Sequence, residues 1–102
     1  MRVLFTLSAE RHLDSFHRYI AEQSGERRAD AYVGRIIAFC QSLSAFPQRG
    51  TARGDLLPGL RTLGFERRVT IAFVLTSTAV LIEGIFYGGQ DFEANFLEKP
   101  PE

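Results

Sequence analysis

Arg61, Arg67, Arg68 and Tyr87 are the side chains best suited to act on a phosphate, because all four fall in or beside stretches of strand-like alternation. A metal-independent ribonuclease must activate a 2′-hydroxyl, stabilise a crowded phosphate and protonate a leaving oxygen. It does so with His, Glu, Lys, Arg or Tyr set on a sheet surface. The same residue types also serve as contacts to a protein partner or as solvated surface, and type alone leaves these uses open. Other chemistries find less material. The stretch GIFYGGQDFE (84–93) puts Gly88-Gly89 after an apolar run, but a dinucleotide fingerprint needs three spaced glycines between a strand and a long helix. A phosphate loop needs Gly-Lys-Ser/Thr, which the chain lacks, so the pair reads as the turn that ends the last strand. His12 and His17 stand five apart, which does not place both on one helix face, and no metal or cofactor is expected. Cys40 sits on an apolar stripe outside any strained nucleophile turn and reads as a small buried hydrophobe. No catalytic residue is assigned.

The chain that must position these groups has 102 residues, enough for one domain (1–102) with a modest core and no need of disulfides or metals. A single cysteine excludes an internal disulfide and suits a reducing compartment. No apolar run approaches the ~20 residues that span a bilayer, and the N-terminus turns charged too soon for a secretory signal. A cytoplasmic location, with no membrane contact, is the expectation. Formal net charge is zero, but its distribution is uneven. Residues 1–47 carry six Arg against five acids, residues 48–70 five Arg against two, and residues 71–102 one Lys against five acids. The middle segment therefore concentrates positive charge where an acidic partner could bind.

Hydrophobic periodicity gives the elements. Residues 2–7 alternate around Val3, Phe5 and Leu7 as a strand, with Ser8 as N-cap for a helix from Ala9 to about Gln23. Ala9, Leu13, Phe16 and Ile20 form that helix's apolar stripe. Ser24-Gly25 breaks it, and Ser24 can cap a second helix reaching about Ser44, where Ala29, Tyr32, Val33, Ile36, Cys40 and Leu43 share a face. Pro47 closes this helix. Residues 48–60 read as a Gly- and Arg-rich loop, with Pro58-Gly59 at the centre of a type II turn. Three strands follow at 60–65, 68–76 and 79–87. In the second of these, Val69, Ile71, Phe73 and Leu75 share a face; in the third, Val80, Ile82 and Phe86 do. A short amphipathic helix, Phe92 to Leu97, is capped by Asp91, and Lys99-Pro100-Pro101-Glu102 reads as a frayed tail. The fold class is α+β in the order β-α-α-β-β-β, an antiparallel meander with a helical hairpin on one face.

The strand and helical hairpin, then LLPGLRTLGFERRVTIAFVL, then VLIEGIFYGGQDFE, resemble the RelE/ParE superfamily of type II toxins, from Val3 to about Leu97. Phe46-Pro47, the Leu57-to-Arg61 turn and strand, and the Phe86-to-Glu93 close carry the resemblance. It implies one of two activities. The RelE branch cleaves ribosome-bound mRNA with basic residues and a tyrosine. Its arginine at the third strand falls at or near Thr70, the next near Gly89-Gln90 and the terminal tyrosine near Asn95-Phe96. The loop before strand two offers Arg49 and Arg53 in place of lysines, and the sole lysine is Lys99 in the tail. Three roles lack their residue types.

The ParE branch lacks that constellation too, and the resemblance to it implies inhibition of DNA gyrase by a protein that is not an enzyme, neutralised by a ParD-like antitoxin. Helix-in-groove binding and strand addition are the expected modes. Tyr19 and Tyr32 on the outer helix faces, with Arg61, Arg67, Arg68 and Tyr87 on the strand side, are the partner-binding candidates. Sequence-specific nucleic-acid binding is not expected. The alternatives are a RelE-type ribonuclease with relocated arginines and a toxin-derived module that only binds.

Overall fold

The computed structural model describes residues 1–88 and 92–97. Strand β1 (Arg2–Phe5) leads through Thr6 into helix α1 (Leu7–Ser24), and α2 (Glu26–Gln41) returns antiparallel to it and runs into a 3-10 turn, Ser42–Ser44. After the loop come β2 (Thr51–Ala52), β3 (Leu60–Phe65), β4 (Val69–Leu75), β5 (Ala79–Tyr87) and helix α3 (Phe92–Leu97). The five strands form one open sheet in the order β1-β5-β4-β3-β2. The meander β3-β4-β5 is antiparallel as the alternation predicts. β1, however, joins β5 in parallel, so the sheet is mixed, and β2 adds a two-residue edge from within the predicted loop.

The helix boundaries differ from expectation for local reasons. Thr6, not Ser8, caps α1: its backbone is extended and its Oγ1 accepts the Ala9 amide at 3.1 Å. The chain therefore leaves the sheet two residues earlier than the period suggested. Ser24 caps nothing, being the last residue of α1. The reversal into α2 is made by Gly25 alone at φ 93°, a backbone that L side chains rarely adopt. At the other predicted turn, Leu60 N–H bonds the Leu57 carbonyl at 3.0 Å and Gly59 takes φ 80°, as a type II turn requires. The expected cap Asp91 and tail Lys99–Glu102 lie outside the described residues, as does Gly89.

The main core lies between the helical hairpin and one sheet face, where Ala9, Leu13 and Phe16 of α1 and Ile36 and Cys40 of α2 meet Val69, Ile71, Phe73, Val80, Ile82 and Ile85. A second cluster (Leu60, Ala72, Phe86 and Phe96) covers the opposite face beneath α3. Phe86 was expected beside Val80 and Ile82. A register shift corrects this: Phe73 pairs with Ile82 but Ala72 pairs with Gly84, so Glu83 is an extra residue in β5. A bulge of this kind inverts the alternation beyond it. Phe86 consequently turns away from the hairpin, and Ile85 and Tyr87 turn toward it.

Candidate functional site

The bulge in β5 assembles the site. By sending Tyr87 to the helical face, it places that ring edge-on to Phe16, with centroids 4.6 Å apart and planes at 88°. Phe16 also meets Tyr32 at 5.4 Å, and Tyr19, one turn further along α1, stands 6.2 Å from Tyr87. The chain has three tyrosines, and all of them gather here: Tyr32 and Tyr87 against Phe16, and Tyr19 against Tyr87. Tyr19, Tyr32 and Tyr87 wall a groove of about 340 Å³ with Arg28 on its rim. Burial, with Glu66 and Tyr87 adding to it, raises the Tyr32 phenol above its ordinary pKa, while Arg35 and Arg68 act in the opposite sense. The phenol is therefore a hydrogen-bonding group at neutral pH and not a base.

The hairpin between β3 and β4 presents the arginines. Its tip is a tight turn closed by Arg68 N–H on the Phe65 carbonyl (3.3 Å), and both central residues have positive φ: Glu66 at 49° and Arg67 at 65°. Turns of this hand normally use Asn-Gly, so Glu-Arg holds a strained backbone. Arg35 steadies it from α2, donating from Nε to Glu66 Oε2 (2.9 Å) and from Nη2 to Oε1 (3.2 Å). The same guanidinium lies over the Tyr32 ring, 4.8 Å from its centroid. Hydrogen bonding to Arg35 holds the Glu66 carboxyl below its usual range. Arg68 accepts Gly88 N–H at its carbonyl, which ties the hairpin to the end of β5. Arg67 and Arg68 are exposed at this tip.

Of the six residues singled out in the sequence, five are gathered at this end. Arg61 is not. It stands at the opposite end of β3, where its Nε donates to the Arg49 carbonyl (2.8 Å) and its Nη2 to that of Gly50 (3.2 Å), stapling the loop to the sheet. Arg28, Arg35, Phe16 and the Glu66 turn were missed. Arg35 had a readable signal, since it follows Tyr32 by three on a helix and so shares its face; the backbone strain at Glu66 had none.

A second groove of about 420 Å³ adjoins the first, sharing Tyr19 and Tyr87 and adding His12, Ser15, Phe16 and Ile85. Here β1 has ended, its last pair being Phe5 with Ile82. His12 Nδ1 takes over by accepting the Ile85 amide at 3.1 Å, and its ring packs on Phe86 at 5.0 Å. Burial lowers its pKa, which keeps the ring neutral and able to accept. A third groove of about 420 Å³ runs along the outside of the hairpin, floored by Leu13, Val33 and Ile37 with Leu7 at its end.

The remaining candidates for chemistry are placed elsewhere. His17 pairs with Asp30 at 2.7 Å, and no group of three metal-binding side chains occurs among the described residues. Cys40 is fully buried and its thiol is pushed up to about 12 by that burial. Thr70, at or near which a RelE-type arginine was expected to fall, is a half-buried strand residue on the outer sheet face. Phe96, of the Asn95-Phe96 pair near which a RelE-type tyrosine was expected to fall, is part of the second core. Gly89-Gln90 lies outside the described residues. Among the described residues no helix is long and apolar enough to cross a membrane.

Comparison with known proteins agrees with this fold. A family model described as the ParE toxin of type II toxin-antitoxin system, parDE, matches residues 3–92. Toxin ParE3 of Caulobacter vibrioides is 34% identical over 98 residues, covering 96% of this chain and 97% of that protein. A solved structure titled as the chromosomal ParDE TA system from P. aeruginosa superposes with a TM-score of 0.75 at 25% identity, over 86% of this chain and 96% of that one. With the strand order, the helical hairpin and the matched length all in agreement, the chain belongs to the ParE toxin family of type II toxin–antitoxin systems.

Proposed function

We propose that this single-domain toxin acts in the cytoplasm by binding DNA gyrase and trapping its cleaved-DNA complex, and that a ParD-like antitoxin neutralises it. The observation that carries the reading is Phe96. The terminal tyrosine of a RelE-type ribonuclease would fall near Asn95-Phe96, and there this chain has a phenyl ring that packs with Leu60, Ala72 and Phe86 and cannot carry a proton. Thr70 is no arginine either, and Arg61 is committed to backbone carbonyls. What remains at the tyrosine–arginine end is a surface built for binding. We therefore treat the protein as a non-enzymatic inhibitor.

The outer groove of the hairpin suits an amphipathic helix, because its apolar floor is bordered by Glu10, Arg11, Asp14 and His17. An acidic segment continuing from that helix would meet Arg67 and Arg68. The solved ParDE system with the same fold supports a ParD-like partner. The test is a gyrase supercoiling assay with the purified toxin, alone and with the product of the neighbouring gene. Inhibition that the second protein abolishes is expected, together with no cleavage of ribosome-bound mRNA. Gyrase left untouched by micromolar excess, or message cut and spared by truncating Arg68 or Tyr87, refutes the proposal.

A further inference from the structure

The tyrosine–arginine end combines exposed aromatic surface with arginines that have no acidic partner among the described residues. Tyr19 is 53% exposed although it flanks the groove shared with Tyr32 and Tyr87. Arg35 is neutralised by Glu66, but Arg28, Arg67 and Arg68 have no ion pair among the described residues. Arg28 rims the groove, and Arg68 is close enough to Tyr32 to act on it electrostatically. The Arg35–Glu66 clamp ties the hairpin that carries Arg68 to α2, and the bond from Gly88 N–H to the Arg68 carbonyl ties it to the end of β5. The groove's volume of about 340 Å³ lies within the range of small-ligand sites.

Flat rings beside arginines are how proteins hold unpaired nucleic acid: the base stacks and the guanidinium groups take the flanking phosphates. A duplex offers no free base face. An acidic peptide would satisfy the arginines and leave Tyr19 without a flat partner. We propose that this end binds a single strand of DNA independently of sequence, with a base stacked on Tyr19 and phosphates held by Arg28 and Arg68. The inference rests on the gyrase reading for its setting, since a cleaved-DNA complex exposes strand ends, but the contact itself is a property of the toxin alone. Zero net charge over the whole chain makes this a local and weak site.

The test is fluorescence anisotropy of the full chain with a fluorescein-labelled oligothymidylate about twelve nucleotides long. Dissociation constants in the range of roughly 1–100 µM at low salt are expected, with log K falling by about 0.7 per decade of salt for each phosphate held, so about 1.4 for two. Tyr19→Ala should weaken binding roughly five- to hundredfold, and Arg68→Ala should flatten the salt slope by about 0.7. Melting curves on both variants establish that they remain folded. Absence of binding at low salt, or binding indifferent to both variants, overturns the inference. So does a duplex that binds equally well, or a polyglutamate of equal length that displaces the strand as effectively as unlabelled oligonucleotide. Gyrase inhibition without strand binding removes this inference and leaves the gyrase reading intact. Strand binding with gyrase untouched does the reverse.

Discussion

Replacing Arg67 by glycine should stabilise the protein, although glycine normally weakens a fold. The residue holds φ 65° at the tip of the β3–β4 hairpin. A left-handed backbone costs an L residue roughly 1–2 kcal/mol. Glycine escapes that cost but loses about 0.5–1 kcal/mol more chain entropy on folding than alanine. The difference leaves Arg67→Gly more stable than wild type by about 0.5–1 kcal/mol. Arg67→Ala keeps the strained φ and loses only an exposed side chain, so it should stay within about 0.5 kcal/mol of wild type. The diagnostic quantity is thus the order glycine above alanine, the reverse of their order at an ordinary position. Chemical denaturation at pH 7 measures it directly, and in a domain of this size 1 kcal/mol moves the melting midpoint by about 4–8 °C. Neither substitution touches the Glu66–Arg35 pair, so the comparison isolates the backbone. If alanine equals or exceeds glycine, the turn does not hold the left-handed conformation and the argument from strain fails.

Glycine positions elsewhere give the opposite signs. Gly34 lies exposed within α2 with nothing within 4 Å of an added Cβ, so Gly34→Ala should stabilise by about 0.5–1 kcal/mol in the same denaturation assay. At Gly50, φ is 81° and an added Cβ would lie 2.2 Å from the Thr62 carbonyl oxygen; Gly50→Ala should cost more than about 2 kcal/mol by detaching β2. His12 makes stability pH-dependent. Its folded pKa is lowered, so the unfolded chain binds the proton more readily, and the His12 contribution is complete above the unfolded value of about 6.5 and declines as pH falls below it. His12→Ala should cost about 1–3 kcal/mol at pH 7.5 by stranding the Ile85 amide, with a smaller loss between pH 7.5 and 5.5 than wild type shows; an equal loss in both proteins refutes the assignment. Because burial pushes the Cys40 thiol up to about 12, a thiol reagent at pH 8 should react only as fast as the chain unfolds, and rapid labelling under native conditions contradicts its placement.

Much of this fold was legible because burial writes itself into period. The stripe Ala9-Leu13-Phe16 and the run Val69-Ile71-Phe73 each fill a core that one face of a helix or strand must fill, and both occur as read. The type II turn at Pro58-Gly59 was legible for a different reason, since proline and glycine each admit a narrow set of backbone angles. The parallel pairing of β1 with β5 was not, because nothing in four residues of strand records which neighbour they will meet or in which direction. Nor was the second core. α3 covers the outer sheet face with two phenylalanines on six residues, Phe92 and Phe96, too short a segment for periodicity to reveal what it packs against.

The site was half legible, and the missing half turns on one residue. Strict alternation through β5 puts Phe86 with Val80 and Ile82 and sends Tyr87 to the outer face. With Tyr87 there, Phe16 would lose its edge-on partner, Tyr19 would lose its neighbour, and the three tyrosines would lie on two sides of a sheet. The extra residue at Glu83 reverses that parity. The same displacement brings the Ile85 amide to His12. Side-chain type could therefore nominate Tyr19, Tyr32 and Tyr87 separately, as it did, but only a local fault in an otherwise regular strand makes them one surface. Inserting one alanine between Phe86 and Tyr87 tests this at the level of function: Ile85 and Phe86 keep their pairing with Ile71 and Thr70, while Tyr87 is sent to the outer face and partner binding at the tyrosine end should be lost. Binding that survives the insertion would mean that the convergence of the rings is incidental to what this toxin recognises.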